Sequence, residues 1–179
     1  MVRKTSVILI VLLLVGIGTQ VAAHRRDILV AFDGGIGVIP AQNVAGAVNA
    51  DGTFADVRRN VVRNVVPGAG PWRISDLKVI VTTDGRIRAR GRGLLLASGN
   101  GIGTNANQSV IATLICEAAA PFVEHTTTVP VPLQANGDFR IDDVLNPAPT
   151  ECASPVLLIR SAGSGVWFAA GIPALDDND

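Results

Sequence analysis

The run Ser75-Asp76-Leu77-Lys78-Val79-Ile80-Val81-Thr82, then Thr83-Asp84-Gly85, then Arg86-Ile87-Arg88-Ala89-Arg90-Gly91-Arg92 decides the fold class. Apolar and polar residues alternate on both sides of a turn dipeptide, the period of strands half-buried against a core. Two loop lengths are open to it. A two-residue loop at Asp84-Gly85 sets Val81 opposite Arg88 and Val79 opposite Arg90, which mixes the faces. A three-residue loop, Thr83-Asp84-Gly85 with Gly85 left-handed, sets Val81 opposite Ile87, Val79 opposite Ala89 and Leu77 opposite Gly91. One face is then apolar throughout. A slip of one residue flips every side chain to the other face, so the hydrophobic pattern selects the longer, bulged loop.

The same choice at Ala135-Asn136-Gly137 predicts Leu133 opposite Phe139 and Val131 opposite Ile141. Asp51-Gly52 and Asn100-Gly101 are further turn dipeptides. Between the turns lie short β-branched runs: 28–32, 75–82, 86–97, 109–116, 127–134, 138–141, 156–160 and 166–172. About eight or more short strands with such punctuation predict an all-β fold, a single antiparallel β-sandwich or barrel. One short helix has room at residues 57–66. Val57, Val61, Val62, Val65 and Val66 share a helical face, with Arg58, Arg59, Asn60 and Arg63 elsewhere. The β-branched residues are weak helix formers, so strand or loop is the competing reading. Pro67-Gly68-Ala69-Gly70-Pro71 ends the segment in either case.

Arg3 and Lys4, the apolar run 7–17 and the small residues Val21-Ala22-Ala23 have the order of a secretory signal peptide. Residues 1–23 are therefore expected to be a cleaved leader, 24–175 the all-β domain and 176–179 a flexible acidic tail. The expected location is secreted or periplasmic, with no membrane span after cleavage, since a span needs about 20 apolar residues. Without the leader, 13 cationic side chains face 15 anionic ones, and Lys78 is the one lysine among them. A nearly neutral chain of this kind argues against a nucleic-acid partner. Cys116 and Cys152 are the only cysteines. In an exported chain an even count favours a disulfide.

Few residues suit chemistry. Cleavage after Ala23 would make His24 the new N-terminus. With His125, the only other histidine, it could form a copper-chelating histidine brace. Two unrelated histidines are the plainer reading. Arg86, Arg88, Arg90 and Arg92 alternate along one strand and should share its outer face. Such a stripe suits an anionic glycan or envelope component; a merely solvated face is the alternative. Lys78 would oppose Arg90 there, leaving positive charge uncompensated. Asp138, Asp142 and Asp143 could be paired carboxylates, but turn and strand-end capping explains them as well. Gly163-Ser164-Gly165 lacks the spacing of a nucleophile elbow. Trp72 and Trp167 adjoin strands with apolar neighbours, so core packing is expected before a sugar-stacking role.

The stretches Gly91 to Ala97, Gly103-Thr104-Asn105, Gln108-Ser109-Val110, Ala135 to Leu145, Ser154 to Arg160 and Trp167 to Pro173 resemble small secreted bacterial proteins with no assigned activity. That resemblance implies a bacterial envelope setting and supplies no cofactor or catalytic residue. The expected function is a non-enzymatic β-domain with a structural or interaction role and no cofactor. A copper-dependent protein or oxidoreductase using His24 and His125 is the alternative.

Overall fold

The computed structural model describes residues 27–174. The expected leader, His24 and the acidic tail lie outside the described residues. Thirteen strands follow in order: β1 (Ile28–Gly37), β2 (Ala41–Val48), β3 (Phe54–Arg59), β4 (Trp72–Arg73), β5 (Asp76–Thr82), β6 (Arg86–Arg92), β7 (Leu95–Leu96), β8 (Ser109–Ile115), β9 (His125–Thr126), β10 (Val131–Pro132), β11 (Phe139–Val144), β12 (Val156–Ser161) and β13 (Trp167–Pro173). No helix occurs among the described residues.

The main sheet runs β10-β8-β12-β13-β1-β5-β6-β11, with β9 added to β8. Its ends come back together, so it is barrel-like rather than a sandwich. At one end of the seam, β10 turns directly towards β11 through the Gln134 N–H, which donates to the Asp138 carbonyl at 2.9 Å. At the other, Thr126 and Asn146 exchange main-chain hydrogen bonds of 3.1 and 3.0 Å. Between them the Asp143 carboxylate accepts from the Thr128 and Val129 N–H groups. The seam is thus closed at its two ends and by the Asp143 carboxylate rather than by a continuous main-chain ladder.

Three strand-connecting loops are built alike: Asn49–Thr53, Thr82–Arg86 and Gln134–Asp138. In each, a glycine with φ near 80° donates its N–H back to the carbonyl three residues earlier, at 3.0, 2.8 and 2.8 Å. The Asp or Asn before that glycine accepts from the N–H two residues after itself. Only glycine takes this φ without strain, and the short acceptor side chain completes the turn. The loop predicted at Thr83-Asp84-Gly85 is present. So is the strand register, with Val81 opposite Ile87, Val79 opposite Ala89 and Leu77 opposite Gly91.

The core differs between the two halves of the barrel. In β12, Leu157, Leu158 and Ile159 are all fully buried, so both faces of that strand are covered. Residues 60–72 run beside β13. The Gly68 N–H donates to the Trp167 carbonyl, the Trp167 N–H to Val66 and the Trp167 indole to Asn60. Trp72 stacks on Phe168 with centroids 4.1 Å apart. Both tryptophans are therefore core residues, not a sugar platform. On the opposite side, β5 and β6 alternate buried and exposed along their length. That half of the barrel is left bare.

Several expectations are corrected. Residues 57–66 form no helix. Strand β3 continues to Arg59, and Val62 and Val65 then exchange hydrogen bonds around Arg63 and Asn64, whose φ values are 44° and 69°. Helix formation would set five β-branched valines against their propensity. The turn also delivers the Arg63 guanidinium to the Ile115 and Ser154 carbonyls at 2.9 and 2.6 Å and to Ser154 Oγ at 2.7 Å. Arg63→Met is expected to cost about 2 kcal/mol in urea unfolding, because it strands part-buried acceptors of a charged donor.

Residues 127–134 are strand only at Val131–Pro132, which pairs with β8, while β11 pairs with β6. The bulged loop at Gly137 exists without the predicted Leu133–Phe139 ladder. Pro130 and Pro132 cannot donate ladder bonds. The predicted strand 86–97 breaks at Gly93, φ 65°. Leu95–Leu96 pairs instead with β4. Strand β2 was not anticipated; with β3 it makes a separate two-stranded ribbon.

Candidate functional site: a cationic sheet face

The bare half of the barrel carries the predicted arginine stripe. On β6, Ile87, Ala89 and Gly91 point inward, and Arg86, Arg88, Arg90 and Arg92 outward. On β5 the outward residues are Asp76, Lys78, Ile80 and Thr82; on β11 they are Arg140, Asp142 and Val144. Antiparallel register arranges these into rows across the strands. Asp33, Lys78, Arg90 and Arg140 form one row, and Ala31, Ile80, Arg88 and Asp142 the next.

The rows differ in charge balance. Asp142 is shared by two arginines, with Arg86 Nη2 at 2.6 Å and Arg88 Nε at 3.7 Å. The Arg86 hydrogen bond, aided by the charges of Arg86, Arg88 and Arg140, holds the Asp142 carboxyl below its ordinary value. A depressed carboxyl adds stability above its unfolded pKa, and loses it as pH falls through the lowered value. The pairing is thus intact at neutral pH. In the adjacent row, Lys78 Nζ lies 2.9 Å from Asp33, and that hydrogen bond raises the Lys78 pKa.

Arg90, Arg92 and Arg140 have no carboxylate within 4 Å among the described residues. Asp76 sits opposite Arg92 in register, yet the two form no ion pair there. Like charges set directly opposite one another destabilise a sheet. Arg90 faces Lys78 on one side and Arg140 on the other, so this row carries a standing repulsion. Beside it, Ile80, Thr82, Arg86 and Arg88 line a hollow of 190 Å³. Planar guanidinium groups on a rigid sheet present paired N–H donors suited to sulfate, carboxylate or phosphate oxygens.

Asp142 should act as a brake on this face. Asp142→Asn frees Arg86 and Arg88 and adds one net positive charge. The expected outcome is elution from a sulfated-glycan resin at higher salt than wild type. Earlier or unchanged elution would contradict it.

The other sequence candidates are placed elsewhere. Cys116 and Cys152 are joined in a disulfide. Asp138 accepts from the Gly93 N–H, Asp142 serves the arginines, and Asp143 caps the seam; the three are dispersed to separate duties. His125, on β9, is 8% exposed, and its Nδ1 hydrogen-bonds the Pro147 carbonyl at 2.7 Å. Among the described residues no group of three or more His, Cys, Asp or Glu side chains is arranged to hold a metal, and His24 lies outside them. No helix among them is long and apolar enough to cross a membrane.

Sequence reasoning missed Arg140 and the neutralising roles of Asp33 and Asp142. Their signal is non-local. Arg140 joins the stripe because β11 lies beside β6 rather than beside residues 131–134. No protein-family model matches the chain, and no curated protein or solved structure is significantly similar to it.

Proposed function

We propose that this is an exported, non-enzymatic β-barrel domain of a bacterial envelope or extracellular space, which holds an anionic glycan on the face formed by β5, β6 and β11. The observation that carries this reading is the cross-strand row Lys78–Arg90–Arg140 with Arg92 beside it, in which, among the described residues, only Lys78 has a carboxylate within 4 Å, that of Asp33. An anionic chain laid across the strands would remove the repulsion among these groups. The hydrophobic leader pattern of residues 1–23 and the Cys116–Cys152 bond support the exported setting.

The binding would be electrostatic and therefore sensitive to salt, since the Debye length shrinks from about 10 Å at 0.1 M to about 3 Å at 1 M. The exported protein is expected to be retained on a sulfated or uronate-rich glycan resin at low salt, to elute as salt rises, and to ignore a neutral glycan resin. Equal retention on charged and neutral glycans would overturn the proposal. Retention on anionic lipid vesicles without retention on the glycan would reassign the face to a membrane.

A further inference from the structure

A second concave feature has the opposite chemistry. A cleft of 410 Å³ opens where the disulfide-linked loops meet, lined by Glu117, His125, Glu151, Val123, Ala148 and the Cys116 end of the disulfide. Among the described residues no lysine or arginine lines it. Its polar side chains are, with one threonine, two carboxylates and an imidazole.

The imidazole is the informative group. His125 is more than nine-tenths buried. Its Nδ1 bonds a carbonyl oxygen, which cannot donate, so Nδ1 carries the proton. In the neutral ring Nε2 is then an acceptor. Nε2 has no partner among the described residues, yet no fully buried side-chain nitrogen or oxygen among them lacks one. Nε2 therefore reaches accessible surface, and His125 is one of the residues that line this cleft. One Glu117 oxygen accepts from the Val123 N–H at 3.1 Å. That bond comes first among the causes holding the carboxyl below its ordinary value, so Glu117 stays ionised at neutral pH.

We infer that this cleft is a binding site for a small organic cation bearing N–H donors, a guanidinium or primary ammonium on a short aliphatic stem. Glu117 and Glu151 offer acceptors to the head group, joined by His125 Nε2 when the ring is neutral, and Val123, Ala148 and the disulfide offer an apolar wall to the stem. Guanidinium-to-carboxylate hydrogen bonds are the strong, charge-assisted kind. The site is independent of the arginine face and uses none of its residues.

The test uses the full exported protein with butylguanidinium as probe and butylurea, its neutral near-isostere, as control. Binding is read by calorimetry and by the His125 imidazole resonances. The expected result is saturable binding that shifts the His125 signals, about tenfold weaker for butylurea, a gap of about 1.4 kcal/mol. Glu117→Gln, which keeps an acceptor for Val123, should weaken the probe about tenfold. Glu151→Gln, on an exposed side chain, should weaken it in the same direction. Arg90→Ala with Arg140→Ala should leave probe binding unchanged. Equal affinity for butylurea, binding that leaves His125 unshifted, or no saturable binding would each overturn the inference.

Discussion

Replacing both cysteines, Cys116→Ala with Cys152→Ala, is expected to lower the stability of the domain by about 3–4 kcal/mol. The bond closes a loop of 36 residues in sequence separation. That loop contains β9, β10 and β11, the elements that complete the barrel seam. Without the cross-link, the unfolded chain regains the freedom of that loop, and the short strands β9 and β10 hold the seam with few main-chain bonds of their own. Strands β8 and β12, which the bond joins just beyond the Ile115–Val156 pair, stay paired by their own ladder. The expected sign is a large fall in the urea midpoint with a folded baseline retained. A loss below about 1 kcal/mol would mean that the seam is held by packing alone.

Gly91→Val is the second large effect. Gly91 sits between Leu77 of β5 and Phe139 of β11 in register. The Phe139 ring lies across the bare Cα: a Cβ on residue 91 would stand 2.1 Å from Phe139 Cε1 and 2.2 Å from Cζ. Phe139 is 4% exposed, so the ring has nowhere to go without opening the core. Overpacking of this kind costs about 3 kcal/mol, near the top of its usual range. Gly91→Ala should be harmful in the same direction. Combining it with Phe139→Leu should recover part of the loss, since residues in direct contact do not add. Full additivity in that double-mutant cycle would contradict the packing described.

The β5–β6 hairpin was legible to the residue because its information is local. Alternation fixes the face, and Asp84-Gly85 fixes the loop. The Gln134–Asp138 loop was legible for the same reason. Its strands were not, because which strand β11 chooses depends on β6, some fifty residues away. The valines of 57–66 satisfied a helical period, but period alone cannot outweigh β-branching and a left-handed Arg63-Asn64 pair. The half of the candidate site on β6 could be read from alternate arginines in sequence. The half contributed by Arg140, and the selective neutralisation by Asp33 and Asp142, depended on strand order. The acidic cleft had no sequence signal, since Glu117, His125 and Glu151 meet through loops and a disulfide.

The arginine face is tested most directly by removing charge in two places and comparing. Arg90→Ala with Arg140→Ala takes two charges from the bare row, and Arg58→Ala with Arg73→Ala takes two from exposed positions on β3 and β4. Two surface ion contacts of about 0.5–1 kcal/mol each correspond to roughly tenfold in affinity for an anionic glycan. The row variant should lose about that factor and most of its salt dependence, while the control binds like wild type. Equal losses in both variants would show an effect of net charge alone, and no loss in the row variant would contradict the assignment of this face.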